Sequence, residues 1–106
     1  MTSEPNTHKL RKPRQRVLKT AKIVMLNDSR FYDCTVRDIS EGGAKLICGE
    51  QAYIPNEFRF YTPWDHTIRS ARVVWRKDNQ MGIAFTSEKS DAPRMKMLDG
   101  NKLSVA

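Results

Sequence analysis

The sequence predicts an all-β protein, a small six-stranded antiparallel β-barrel. Three observations predict it. Six stretches within residues 20–85 alternate apolar and polar residues at a period of two. Clusters of Asn, Asp, Ser, Gly and Pro separate them as turn signals. The spacing leaves little room for the helices that parallel crossovers need, so the strands pair antiparallel. Closing such a sheet on itself removes its exposed edges.

The elements follow in order. Thr20–Leu26 is rich in β-formers, with Ala21, Ile23 and Met25 on one face. Asn27-Asp28-Ser29 turns the chain. Phe31–Ile39 places Tyr32, Cys34 and Val36 on one face and Asp33, Thr35 and Arg37 opposite. After a loop ending in Gly42-Gly43, Ala44–Cys48 directs Ala44, Leu46 and Cys48 inward. Glu57–Thr62 offers Phe58 and Phe60 as core residues. Pro63-Trp64-Asp65 is a turn that exposes Trp64. Thr67–Arg76 carries Ala71, Val73 and Trp75 on one face, which makes Trp75 a core residue on alternation alone. Lys77-Asp78-Asn79 turns back into Gln80–Phe85, with Met81, Ile83 and Phe85 inward. These last two strands form the clearest hairpin of the chain.

Residues 1–18 read as a flexible basic arm, 19–86 as the barrel and 87–106 as a C-terminal tail. Within the tail, Ala92–Leu98 is expected to form a short helix, with Pro93 at its start, Gly100 at its stop and Met95, Met97 and Leu98 as its apolar set.

The charge is concentrated in the arm. Residues 1–22 hold seven of the 19 basic residues against the single acid Glu4, whereas the remainder carries 12 basic and 11 acidic residues. A near-neutral domain with a basic arm suits a polyanionic partner. No apolar run is long enough for a membrane span, and no apolar stretch follows the basic region as in a signal peptide, so a cytoplasmic location is expected. Cys34 and Cys48 lack metal-ligand spacing and are expected as reduced thiols. His8 and His66 are far apart in sequence, and no His/Cys/Asp cluster forms. Ser40 has no evident general base, and Gly42-Gly43 is not followed by Gly-Lys-Ser/Thr, so neither acyl transfer nor a nucleotide-hydrolysing phosphate loop is indicated. The chain reads as a binding protein with no enzymatic activity, metal or cofactor.

Two segments carry candidate chemistry. Asp38-Ile39-Ser40-Glu41-Gly42-Gly43 lies between two strands. In an extended segment Asp38 and Ser40 point the same way, and a carboxylate there can accept from the N1–H and N2–H₂ edge of guanine. An ordinary turn has the same composition, with Asp and Ser opening it and the glycines supplying unusual dihedrals. Upstream, Arg11, Lys12, Arg14 and Arg16 fall within six residues. Arginine grips phosphate through a planar fork and stacks on a base, while Lys12 supplies charge without the fork. A solvated tail and a general nucleic-acid contact are both compatible with this arm.

A basic arm followed by Asp38-x-Ser40-x-x-Gly43 between two short strands resembles the PilZ domain, a family of receptors for the bacterial second messenger cyclic di-GMP. The family pattern is R-x-x-x-R in the arm, then [D/N]-x-S-x-x-G. Asp38, Ser40 and Gly43 match the second half. Arg16, followed by Val17, suits the second arginine, but Lys12 stands where the first is expected. Strand number and order over residues 10–86 agree, as do Val73-Val74-Trp75 and Met81-Gly82-Ile83-Ala84-Phe85. The resemblance implies that the arm folds across the barrel and clamps one ligand or an intercalated pair. Arg16 would then contact phosphate and stack on guanine. Lys12 would reach phosphate, with Arg11 or Arg14 replacing the missing guanidinium. Asp38 would accept from guanine, Ser40 would contact phosphate or position the loop, Gly43 would keep the approach open, and Trp75 would face the ligand.

Three readings follow: a cyclic di-GMP receptor that passes its message to a protein effector, a degenerate member acting only through protein contacts, and a nucleic-acid-binding barrel. The last needs exposed aromatics on a sheet face. Most aromatics here fall at core-like positions and the arm has none, which argues against it.

Overall fold

A computed structural model describes residues 15–27, 29–49, 53–98 and 101–105. Six strands form the barrel: β1 (Gln15–Val24), β2 (Phe31–Ile39), β3 (Gly43–Ile47), β4 (Glu57–Thr62), β5 (Thr67–Lys77) and β6 (Gln80–Phe85). They are hydrogen-bonded in the order β4-β1-β2-β3-β6-β5, and β4 pairs with β5 to close the ring. Every pairing is antiparallel. β1 begins four residues before the barrel start read from the sequence, within the span assigned to the arm.

The alternating residues fill the barrel. Ala21, Ile23, Cys34, Val36, Ala44, Leu46, Cys48, Phe58, Phe60, Ala71, Met81 and Ile83 form one buried cluster, with Tyr32, Val73 and Phe85 packed against it. Burial of this apolar surface is the principal stabilising contribution. Cys34 and Cys48 are buried free thiols. Hydrogen bonding with Cys48 and burial push the Cys34 thiol well above the ordinary thiol range, so it stays protonated.

Among the described residues, three bulges interrupt the ladders. One falls between Arg16 and Lys19 on β1, where three steps of chain oppose two on β2. One lies between Val36 and Asp38 on β2, where two steps oppose one on β3. One lies between Val73 and Trp75 on β5, where two steps oppose one on β6. A bulge adds one residue to one strand and resets which face the following residues present.

The C-terminal segment departs from the sequence expectation. Met95–Leu98 is not helical but strand β8, paired with β9 (Lys102–Val105), and the short strand β7 (Ser90–Asp91) pairs with the start of β5. The reason is visible in the spacing. Met95 and Met97 are two apart, and both pack on a second cluster of Val24, Phe31 and Leu103 outside the main core. A helix would have turned them to different sides. Asn101, with φ 63°, donates its side-chain amide to the Phe31 carbonyl at 2.9 Å and ties the hairpin to β2. No helix among the described residues is long and apolar enough to cross a membrane.

The β4–β5 turn is held by Asp65. Its carboxylate accepts from Thr62 Oγ1 (2.5 Å), Thr67 Oγ1 (2.8 Å) and Lys89 Nζ (2.9 Å). Burial works to raise its pKa, but hydrogen bonds from Thr62, Lys89 and Thr67 and the lysine charge outweigh it and hold the group at about 2, below the ordinary 3.8. A folded-state pKa below the unfolded one means that the clamp stabilises fully above the ordinary value and is lost as pH falls toward the folded value. Solvent screening at this exposed turn limits the contribution to about 1 kcal/mol. Asp65→Asn is therefore expected to be less stable than the wild type by about 1 kcal/mol near neutral pH. The gap should close in strong acid. Chemical denaturation across this pH range checks it, and a pH-independent gap would contradict the charge-based account.

Candidate functional site

The bulges bring the two halves of the sequence pattern into one row. In the β1–β2 ladder Arg16 stands opposite Asp38. Asp38 stands opposite Lys45 on β3, Lys45 opposite Gly82 on β6, and Gly82 opposite Trp75 on β5. The row Arg16–Asp38–Lys45–Gly82–Trp75 thus crosses five neighbouring strands at right angles to their direction. Residues directly opposite in antiparallel strands share a face of the sheet. Ala44 and Leu46, on either side of Lys45, are buried in the barrel, so Asp38, Lys45 and Trp75 lie on its outer face.

Each bulge is needed for this placement. Without the extra residue in β2, Arg37 would oppose Lys45 and Asp38 would oppose the inward Ala44. Without the extra residue in β5, Trp75 would follow Val73 inward. It is instead 41% exposed, and the bulged Val74 is 57% exposed. The core position expected for Trp75 from alternation is thus corrected, because the bulge at Val74 breaks the alternation. Its indole lies over Gly82: a methyl group on that glycine would fall 2.1 Å from Nε1. The missing side chain at Gly82 makes the bed on which the ring rests.

The Asp38–Gly43 turn is closed by its own backbone. Ser40 N–H donates to the Gly43 carbonyl at 2.8 Å, and Ser40 Oγ approaches the same oxygen at 3.4 Å. Gly42 accepts from the Phe85 amide at 2.9 Å, tying the turn to the end of β6. Gly43 is buried, and a Cβ there would lie 2.2 Å from the Ile83 carbonyl oxygen. Its glycine is therefore required by the close approach of β6, not by a left-handed dihedral. Asp38 and Ser40 are both half-buried, one at the end of β2 and one in the turn. Trp64, in the β4–β5 turn, is 39% exposed, as expected from the sequence, with Lys19 Nζ 4.9 Å from its ring centroid.

Of the eight residues singled out from sequence, Arg16, Asp38 and Trp75 share the row, and Ser40 and Gly43 shape the turn beside it. Arg11, Lys12 and Arg14 lie outside the described residues, and Arg16 is placed by its backbone alone. Lys45 was not among them. Its signal was present in the alternation: a lysine between two inward residues on the strand leaving the Asp38 turn must face outward beside it.

The row combines a carboxylate, the Lys45 cation and an aromatic ring on a surface floored by Gly82, with the backbone position of Arg16 at its end. That set suits a ligand with anionic groups, aromatic planes and N–H donors. Comparison with known families gives a match to the PilZ domain over residues 10–99, most of the chain. No curated protein matches it.

Proposed function

We propose, starting from the fact that this chain belongs to the PilZ domain family, that it is a cyclic di-GMP receptor acting as an adaptor in the cytoplasm. PilZ domains are generally cyclic di-GMP-binding domains, and they act as binding or adaptor domains rather than enzymes. The observation that carries the reading for this chain is the row itself, in which the Arg16 and Asp38 positions of the two pattern halves become cross-strand neighbours.

The ligand has two phosphates and two guanines. In this reading Arg16 grips a phosphate and stacks on a base. Asp38 accepts from the guanine N1–H and N2–H₂ edge, the only edge among the common bases that presents those two donors side by side. Trp75 supplies an indole face for stacking, which is sequence-tolerant, so guanine selectivity rests on Asp38. Ser40 holds the turn. Arg11, Lys12 and Arg14 bring the charge that offsets the phosphates, with Lys12 lacking the fork of the usual first arginine. In this reading the signal then passes to a protein effector.

Calorimetric titration with cyclic di-GMP tests this. Micromolar or tighter binding, with a linear guanine dinucleotide bound much more weakly, is expected. A folded protein that gives no specific heat up to high micromolar ligand would overturn the reading and leave the protein-contact alternative, which the Lys12 departure favours.

A further inference from the structure

We propose that Lys45 is a phosphate-binding residue of this site, supplying from β3 a cation that the arm pattern does not include; the proposal rests on the receptor reading above. Four observations place it there. Lys45 lies between Asp38 and Gly82 in the row, so it sits beside the group assigned to guanine. Its neighbours Ala44 and Leu46 are buried, which fixes its face as the outer one. Its side chain is half-buried, so part of the stem is held against the sheet. Finally, it forms no ion pair within the described residues, although Asp38 is directly opposite.

Gly82 is the cross-strand neighbour of Lys45 and has no side chain, and the space above it is taken by the Trp75 indole. The ring places an N–H donor, Nε1, over the strand next to Lys45. Lys45 and the indole N–H therefore present a charge with three donors and a further single donor toward one region. Neither is an acceptor, so the pair suits an oxyanion. Asp38 alongside is an acceptor when ionised and suits the N–H edge of a base. Acceptor and donors adjoining at this spacing match a nucleotide lying with its base over Asp38 and its phosphate over Lys45. A dianionic ligand meets two cationic positions in the row, Arg16 and Lys45, one on each side of the carboxylate.

The test uses the full chain and cyclic di-GMP, titrated calorimetrically at low and high salt. Lys45→Met keeps most of the aliphatic stem and removes the charge, so it is chosen over alanine, and thermal melting checks that it remains folded. Lys96→Met, on the outer side of β8, removes the same net charge away from the row. Lys45→Met is expected to bind about tenfold more weakly than wild type with a visibly smaller loss of affinity on adding salt. Lys45→Arg should recover most of the affinity, and Lys96→Met should match the wild type. If wild type binds but Lys45→Met behaves like Lys96→Met in both affinity and salt dependence, the assignment of Lys45 is overturned while the receptor reading stands. If the wild type itself does not bind, both are overturned.

Discussion

Gly43→Ala is expected to destabilise the barrel by about 3 kcal/mol and to lower its urea midpoint accordingly. The added methyl would meet the Ile83 carbonyl oxygen at 2.2 Å, the Ile83 carbonyl carbon at 3.3 Å and Ala84 Cα at 3.4 Å. All three are backbone atoms of the paired strand, so no rotamer change relieves the clash. β3 would have to separate from β6 at their first pair, Gly43↔Ala84, where the turn carrying Asp38 and Ser40 is anchored. Gly42→Ala is the matched control. Nothing lies within 4 Å of a Cβ at Gly42 and no left-handed dihedral is needed there. Alanine at that position is expected to be neutral or slightly stabilising through the unfolded state. Equal midpoints for the two variants would show that the close approach of β6 does not hold the turn.

Asp38→Ala is expected to weaken cyclic di-GMP binding by about a hundredfold. Two charge-assisted hydrogen bonds to guanine together contribute about 3 kcal/mol. The more telling readout is selectivity. Adenine presents a ring acceptor where guanine presents N1–H, and it has no N2–H₂, so a carboxylate in this place opposes cyclic di-AMP. The wild type should discriminate strongly between the two cyclic dinucleotides, and Asp38→Ala should bind both weakly with little preference. Calorimetry with both ligands measures this. Retained guanine preference in a folded Asp38→Ala protein would move base recognition elsewhere on the barrel.

The strands were legible in the sequence because burial in a barrel imposes a period of two, and Phe58, Phe60, Leu46 and Met81 all obey it. The Asp38 turn was legible because Asp, Ser and Gly each answer a local need of the backbone. The outward side of Trp75 was legible only through the family resemblance and not from alternation, because one inserted residue, Val74, inverts the side on which everything after it emerges, and nothing in the composition of Val73-Val74-Trp75 announces an insertion. Lys45 was passed over because the alternation that turns it outward marks many surface lysines alike. It gains meaning from the strands on either side, of which β6 lies far away in sequence. The C-terminal hairpin was missed for a different reason: Pro93 and Gly100 resemble helix punctuation, while the two-residue spacing of Met95 and Met97 recorded the strand.

The three bulges have a consequence for how such a surface is inherited. Arg16, Asp38 and Trp75 reach one line across the sheet because β1, β2 and β5 each carry one residue more than the partner strand requires. The recognition surface is thus tied to strand length as well as to residue identity. A relative could keep the arginine, the aspartate and the tryptophan, lose one residue from a strand, and turn one of them into the barrel. Another could exchange most of its strand residues for others of the same polarity and keep the line intact. Divergence by insertion and deletion, which is usually confined to loops, acts here inside the strands themselves.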